Sequence, residues 1–281
     1  MTSPRHLGIV VQVRTWRADL RTAVVTGDGA AVVRHLQAHP APEYLLQYAG
    51  DAVLLALAQR TPGAREAAWT VLRTMFDRAW KGDRELSLEL GAALGVTPEQ
   101  LWSELRGGPS DVQVISEPEP ELRGLPLDLD ELSEMLEGDP AYSRGRIDLR
   151  TGQTWPRGVL DSLGWGSDED DDEEDKDEDD GDDEDDQDNE DHWLWVDSQG
   201  SRDGYEDMVD FAETVRDPRL TGRLEVALDG RGAFRRFRTV LDREPAEFER
   251  WSGFSDDRRR GRARAWLARA GYRSVPEPRR G

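Results

Sequence analysis

Arg146-Ile147-Asp148-Leu149-Arg150-Thr151-Gly152-Gln153-Thr154-Trp155 interrupts a chain that otherwise reads as helical. Two short β-type runs, Arg146–Leu149 and Gln153–Trp155, flank the turn chemistry of Arg150-Thr151-Gly152, which is a hairpin signal. Trp193-Leu194-Trp195-Val196 supplies a third strand. These strands make the expected class α+β: a helical N-terminal region followed by a small antiparallel sheet packed with C-terminal helices.

Working outward, residues 1–106 carry helical periodicity. Thr61-Pro62-Gly63 opens a helix with Pro at its first position, and Ala68, Val71, Leu72, Met75 and Ala79 form its stripe before Gly82 closes the pattern. Upstream, Tyr44, Leu45, Tyr48, Ala52 and Leu55 recur in the same way, with Gly50 a break point. Gly107-Gly108-Pro109-Ser110 and Glu117-Pro118-Glu119-Pro120 read as a linker. After it, Asp128 with Glu131 caps a helix whose face is Leu129, Leu132 and Leu136. Beyond the third strand, helices are expected from Asp203 (Met208, Phe211, Ala212, Val215 inward) and from Asp217-Pro218 (Leu220, Leu224, Leu228 inward). A Phe/Arg helix follows, and then one from Ser255 or Asp256 to Gly271. The expected domains are therefore 1–106, a linker at 107–124, and 125–275 interrupted by an acidic insertion at 167–192.

Charge is distributed unevenly. The chain has 37 basic and 59 acidic side chains and a net of −22. Residues 168–191 hold twenty Asp or Glu and one Lys, a net of −19, so the remainder is close to neutral. Residues 231–281 hold fifteen Arg against seven acids, a net of +8. The acidic run reads as a disordered, self-repelling loop between the second and third strands. It is not an EF-hand, since Gly181 at position six would put Lys176 at position one and Gln187 at position twelve. Two sharper roles are mimicry of nucleic acid toward a basic partner and intramolecular contact with the chain's own basic end.

There is no cysteine, which excludes disulfides, thiolate metal sites and a cysteine nucleophile. The longest apolar run, Val53–Ala58, is far short of a membrane span, and Met-Thr-Ser-Pro-Arg-His opens no signal peptide. A cytoplasmic protein with no membrane contact is expected. The Arg-heavy, Ala/Gly-rich usage suggests a high-GC bacterial source.

The candidate binding site is Asp229-Gly230-Arg231-Gly232-Ala233-Phe234-Arg235-Arg236-Phe237-Arg238. Two glycines open a helix on which Phe234, Phe237 and Leu241 form an inward stripe, leaving Arg231, Arg235, Arg236 and Arg238 beside a helix start. Guanidinium groups at such a place suit an anionic partner, nucleic acid or an acidic protein surface, and Arg258, Arg259, Arg260, Arg262 and Arg264 extend the basic character. The competing reading pairs these arginines internally with Glu206, Asp207, Asp210 and Glu213.

Leu90–Leu101 resembles a helix-turn-helix core, with Gly95 at the turn and Thr97 and Gln100 as a capping box. Glu99 and Glu104 on the second helix favour a plain helix corner instead. His6, His35, His39 and His192 have no motif partner. No nucleotide fingerprint or nucleophile–base spacing is present, so no catalytic, cofactor or metal residue is assigned. The non-enzymatic reading is a binding or regulatory module using its Arg-rich face. Its alternatives are a divalent-metal-dependent phosphoryl-transfer or hydrolytic enzyme built on Asp148, Glu206, Asp207 and Asp210, and an interaction module acting through the acidic run.

The Leu-Asp-Leu-Asp-Glu-Leu helix, the Ile-Asp-Leu-Arg-Thr-Gly-Gln hairpin, Gly204-Tyr-Glu-Asp-Met-Val-Asp-Phe211 and Gly230-Arg-Gly-Ala-Phe-Arg-Arg-Phe-Arg238 occur in that order. With Glu249-Arg250-Trp251 and Ala265-Trp266-Leu267, this series resembles uncharacterised protein family 0158 of bacteria over roughly residues 125–272. The resemblance implies no catalytic residue, because the family has no assigned function. The acidic insertion and the helical N-terminal part depart from its pattern.

Overall fold

A computed structural model describes residues 16–107, 121–138, 144–156 and 192–275. The acidic run, most of the expected linker and His6 lie outside these residues. The elements are α1 (16–26), α2 (Gly29–Ala38), a 3-10 turn at Glu43–Leu45, α3 (Leu46–Ala58), α4 (Ala64–Arg78), α5 (Asp83–Leu94), α6 (Pro98–Leu105) and β1 (Arg123–Leu125). They continue as α7 (Leu129–Leu136), β2 (Arg144–Asp148), β3 (Thr154–Pro156), β4 (Trp193–Asp197), α8 (Arg202–Glu213), α9 (Pro218–Leu228), α10 (Ala233–Leu241), α11 (Pro245–Arg269) and β5 (Tyr272–Ser274). The class is α+β, as the hairpin sequence requires.

Two compact units are formed, both discontinuous in sequence: residues 1–120 with 204–265, and residues 121–203 with 266–281. The chain passes from one unit to the other at 120/121, 203/204 and 265/266. The helices of 204–265, however, pack with the N-terminal helices rather than with the sheet. The reason is electrostatic as much as apolar, since the carboxylates that partner the arginines of α11 include Asp51 of α3 and Glu89 of α5.

In the first unit α3 is the central helix, packed on α2, α4 and α5. Leu46, Ala49, Ala52, Val53 and Ala56 are buried, a spread too wide for a surface helix. Gly50 does not break it. A Cβ there would stand 2.5 Å from Leu86 Cδ2, so the glycine is a packing notch. Helix α4 begins two residues after Pro62, behind left-handed Gly63, and Ala79 ends it in the left-handed region. A second core joins Met208, Phe211, Leu220, Leu224, Phe237, Leu241 and Phe254. Its rings pack edge to face, Phe237 at 5.0 Å from Trp251 and Phe211 at 5.5 Å from Phe254.

In the second unit, β3, β2 and β4 form an antiparallel sheet in that order, and β1 pairs with β5 in parallel. Ile147 and Val196 are fully buried and Gly145 lies against Met135 of α7. Strand alternation sends Arg146, Trp155 and Trp195, which are cross-strand neighbours, to the opposite face. The hairpin closes tightly: Gly152 is left-handed (φ 76°) and sits so near the Pro126 carbonyl that no Cβ fits.

Candidate functional site

The α9–α10 corner is built by local rules. Asp217 accepts from the Arg219 N–H (2.9 Å) and Pro218 occupies the first turn of α9. Gly230 and Gly232 take φ values of 75° and 80°, which turn the chain into α10. Phe237 and Leu241 are buried as expected, but Phe234 is 47 % exposed, because the first turn of α10 runs past the second core. Its ring lies over Gly204.

The four arginines of this corner divide into two groups. Arg236 turns inward and donates to the carbonyls of Ala227 (3.1 Å), Asp229 (2.5 Å), Gly230 (3.2 Å) and Arg231. It satisfies the acceptors that the end of α9 leaves open, so its guanidinium is a structural clamp. Arg231, Arg235 and Arg238 are exposed, and none forms an ion pair among the described residues.

The arginines of α11, expected to extend this basic face, are instead engaged inside the first unit. Arg258 binds Asp207 (2.6 Å) and Asp210 (2.8 Å), and Arg262 binds Asp207 (2.9 Å). Arg260 and Arg264 both hold Asp51, at 2.7 and 2.5 Å, and Arg264 also reaches Glu89 at 2.8 Å. Arg259 lies 3.6 Å from Asp256. The internal pairing suggested by the sequence thus exists, with Asp207 and Asp210 as acceptors, but its donors come from α11 rather than α10.

A third cluster is unbalanced. Arg78 binds Asp83 through two bonds (2.9 and 2.5 Å) and Asp257 through one (2.6 Å), so one guanidinium serves two carboxylates. Asp257 is fully buried and also accepts from the Gln47 N–H at 2.8 Å. Burial pushes its carboxyl up to about 6, against the pull of Arg78 and the Gln47 N–H. A carboxyl raised in the fold stabilises fully below its unfolded value near 4 and loses that contribution as pH rises through about 6. In Asp257→Asn this part of the pH dependence is therefore expected to vanish. The difference in unfolding free energy between the variant and the parent, measured by urea denaturation, should change by on the order of 1–3 kcal/mol between pH 4 and 7. Parallel curves would show that Asp257 is ionised throughout.

The proposed carboxylate set does not assemble as a metal site. Asp207 is paired with Arg258 and Arg262 and Asp210 with Arg258, and no group of three His, Cys, Asp or Glu suited to a metal occurs among the described residues. Asp148 belongs to the hairpin. Burial pushes its carboxyl up, and the Arg150 and Thr151 bonds more than reverse this, holding it below the ordinary range. Burial lowers His35, which packs between Trp16 and His39 at ring distances of 5.3 and 5.6 Å.

The capping box forms as read: Thr97 accepts from the Gln100 N–H (3.3 Å) and Gln100 accepts from the Thr97 N–H (2.9 Å). Its own N–H and the Thr97 hydroxyl hold the exposed Glu99 carboxyl below the ordinary range, so α6 presents negative charge where phosphates would have to approach. One surface escaped the sequence reading. Arg146 stacks on Trp193 at 3.9 Å, beside Trp195, which is 54 % exposed. The period-2 placement of Trp193 and Trp195 was the available signal.

Residues 168–278 match the model of an uncharacterised protein family (UPF0158). The match covers α8 to β5 together with β4 and the acidic run, and leaves out the N-terminal helices. No curated protein and no solved structure matches the chain. No helix among the described residues is long and apolar enough to cross a membrane.

Proposed function

We propose that this chain is a non-enzymatic binding module that takes a single-stranded nucleic acid at the α9–α10 corner. The observation that carries the reading is a contrast within one Arg-rich segment. Arg236, Arg258, Arg260, Arg262 and Arg264 are consumed by the protein's own carbonyls and carboxylates, whereas Arg231, Arg235 and Arg238 are exposed and make no ion pair among the described residues. Arg235 and Arg238 lie three positions apart on α10, Arg231 precedes the Gly232 turn, and each Arg offers a planar fork to phosphate. Phe234, half-exposed between Arg231 and Arg235, adds a ring on which a base stacks.

The test is a salt titration against a mixed-sequence single-stranded oligonucleotide and against polyglutamate. Loss of three phosphate contacts in R231A/R235A/R238A is expected to reduce the log–log salt slope by about 2. Phe234→Ala weakens the oligonucleotide alone. Removal of residues 168–191, which carry twenty acidic side chains and one Lys, makes the chain less negative and is expected to tighten binding at low salt. An unchanged slope in the triple variant would eliminate the corner as the site, and equal loss of polyglutamate would make the partner an acidic protein surface.

A further inference from the structure

The α9–α10 corner is one-sided in its hydrogen bonding. Every main-chain carbonyl from Ala227 to Gly232 is already engaged by a donor of the protein. Arg236 takes those of Ala227 (3.1 Å), Asp229 (2.5 Å), Gly230 (3.2 Å) and Arg231 through its guanidinium, and that of Gly232 (3.2 Å) through its N–H. The Leu228 carbonyl accepts from the Tyr205 hydroxyl at 3.2 Å. These carbonyls are directed at protein donors instead of standing as a row of acceptors toward a ligand.

The side chains add to the same bias. From Ala227 to Arg238 the chain carries only Ala, Leu, Gly, Phe and Arg besides Asp229. The exposed Arg231, Arg235 and Arg238 can donate but not accept. No side chain caps α10, so its first-turn N–H groups are further donors. What is left to accept is the exposed Asp229 carboxylate and the second lone pair of the Tyr205 hydroxyl. Bases are told apart by where their edges donate and accept, whereas a phosphate asks for donors alone and is the same in every nucleotide.

Resting on the single-strand reading above, we propose that the corner is blind to sequence: it holds the phosphodiester backbone and takes a single strand of any base composition. Phe234 does not alter this, because every base has a π-face to lay on its half-exposed ring. Arg236 is what makes the surface indifferent. By turning inward it withdraws the acceptors that an amino group of adenine, cytosine or guanine would need.

The probes are labelled oligo(dC) and oligo(dT) of about 12 nucleotides, titrated with the full chain by fluorescence anisotropy. Both are pyrimidines, but cytosine presents an amino donor where thymine presents a carbonyl acceptor. Their dissociation constants are expected to differ by less than about fivefold, the least that one bidentate base contact would impose. A strand of the same length lacking bases should bind more weakly but keep the salt slope, which counts phosphate contacts. Asp229→Ala should tighten both oligonucleotides alike by removing a carboxylate beside phosphates, and Tyr205→Phe should leave their ratio unchanged. A difference of fivefold or more between the two, or a ratio that shifts by that much in either variant, overturns the proposal, because a base edge is then being read. A flatter salt slope for the base-free strand overturns it too. If the parent binds neither oligonucleotide, the single-strand reading itself falls and this proposal with it, so the two failures are told apart.

Discussion

Arg264→Leu is expected to lower the unfolding free energy of the first unit by about 3–5 kcal/mol, a large part of what a domain of this kind possesses. The Arg264 side chain is 2 % exposed and donates to three acceptors at once: Gln47 Oε1 (3.0 Å), Glu89 Oε1 (2.8 Å) and Asp51 Oδ1 (2.5 Å). Leucine fills much of the volume but leaves these acceptors facing an apolar group. The carboxylates carry the greater cost. Burial alone would raise Asp51, and Arg264 with Arg260 reverses this so that its carboxyl lies below the ordinary value. A depressed carboxyl contributes stability above its unfolded value near 4 and loses it as pH falls, so the parent owes part of its neutral-pH stability to this pair. The deficit of Arg264→Leu should accordingly be larger at pH 7 than at pH 4. Adding Glu89→Gln restores the balance of one guanidinium, Arg260, with one carboxylate, Asp51, and should recover about 1–2 kcal/mol in a urea unfolding series. A loss below 1 kcal/mol, or a double variant no better than the single, would mean that water reaches these groups.

Such a network is not legible in a sequence, and its absence from the reading had consequences. Arg264 and Gln47 are 217 positions apart, and Arg78 and Asp257 are 179 apart. No periodicity links them, so the basic end of the chain looked like a surface. The start of α11 was missed for a related reason. Phe248, Trp251 and Phe254 face the aromatic core, whereas Asp257, Arg260 and Arg264 meet α3, α4 and α5, so the helix carries two inward faces and no single stripe. Phe234 followed the stripe rule perfectly well in sequence but lies where the core has already ended. Local chemistry read correctly where it was closest: the Thr97 capping box, the Asp128 cap and the Asp148–Gln153 turn of the hairpin each depend on residues within five positions of one another, whereas Glu131, expected to join the Asp128 cap, accepts from the Thr154 hydroxyl instead. At the candidate corner, the helix start and the exposure of Arg231, Arg235 and Arg238 were legible. The inward turn of Arg236 was not, because it depends on where the carbonyls of α9 end.

Gly261→Ala should reverse the usual sign of a helical glycine substitution. Replacing glycine inside a helix normally stabilises by about 0.5–1 kcal/mol, and Gly222 in α9, with open space around it, is expected to behave so. Gly261 lies at a backbone crossing. A Cβ there would stand 2.2 Å from the Lys81 carbonyl oxygen, and one on Gly82 would stand 2.2 Å from the Gly261 oxygen. Both obstacles are main chain, so no rotamer change relieves them, and α11 must move away from the 81–82 turn by about 1 Å. That displacement also stretches the Arg78–Asp257 bond of 2.6 Å and the Arg264–Gln47 bond of 3.0 Å, which flank the crossing. Overpacking and loss of the ionic network then act together, and a cost above about 3 kcal/mol is expected. The comparison of Gly261→Ala with Gly222→Ala in one denaturation series isolates the crossing from helix propensity. If both variants gain stability, the close approach is not present in solution, and the ionic network that depends on it must be looser than these distances.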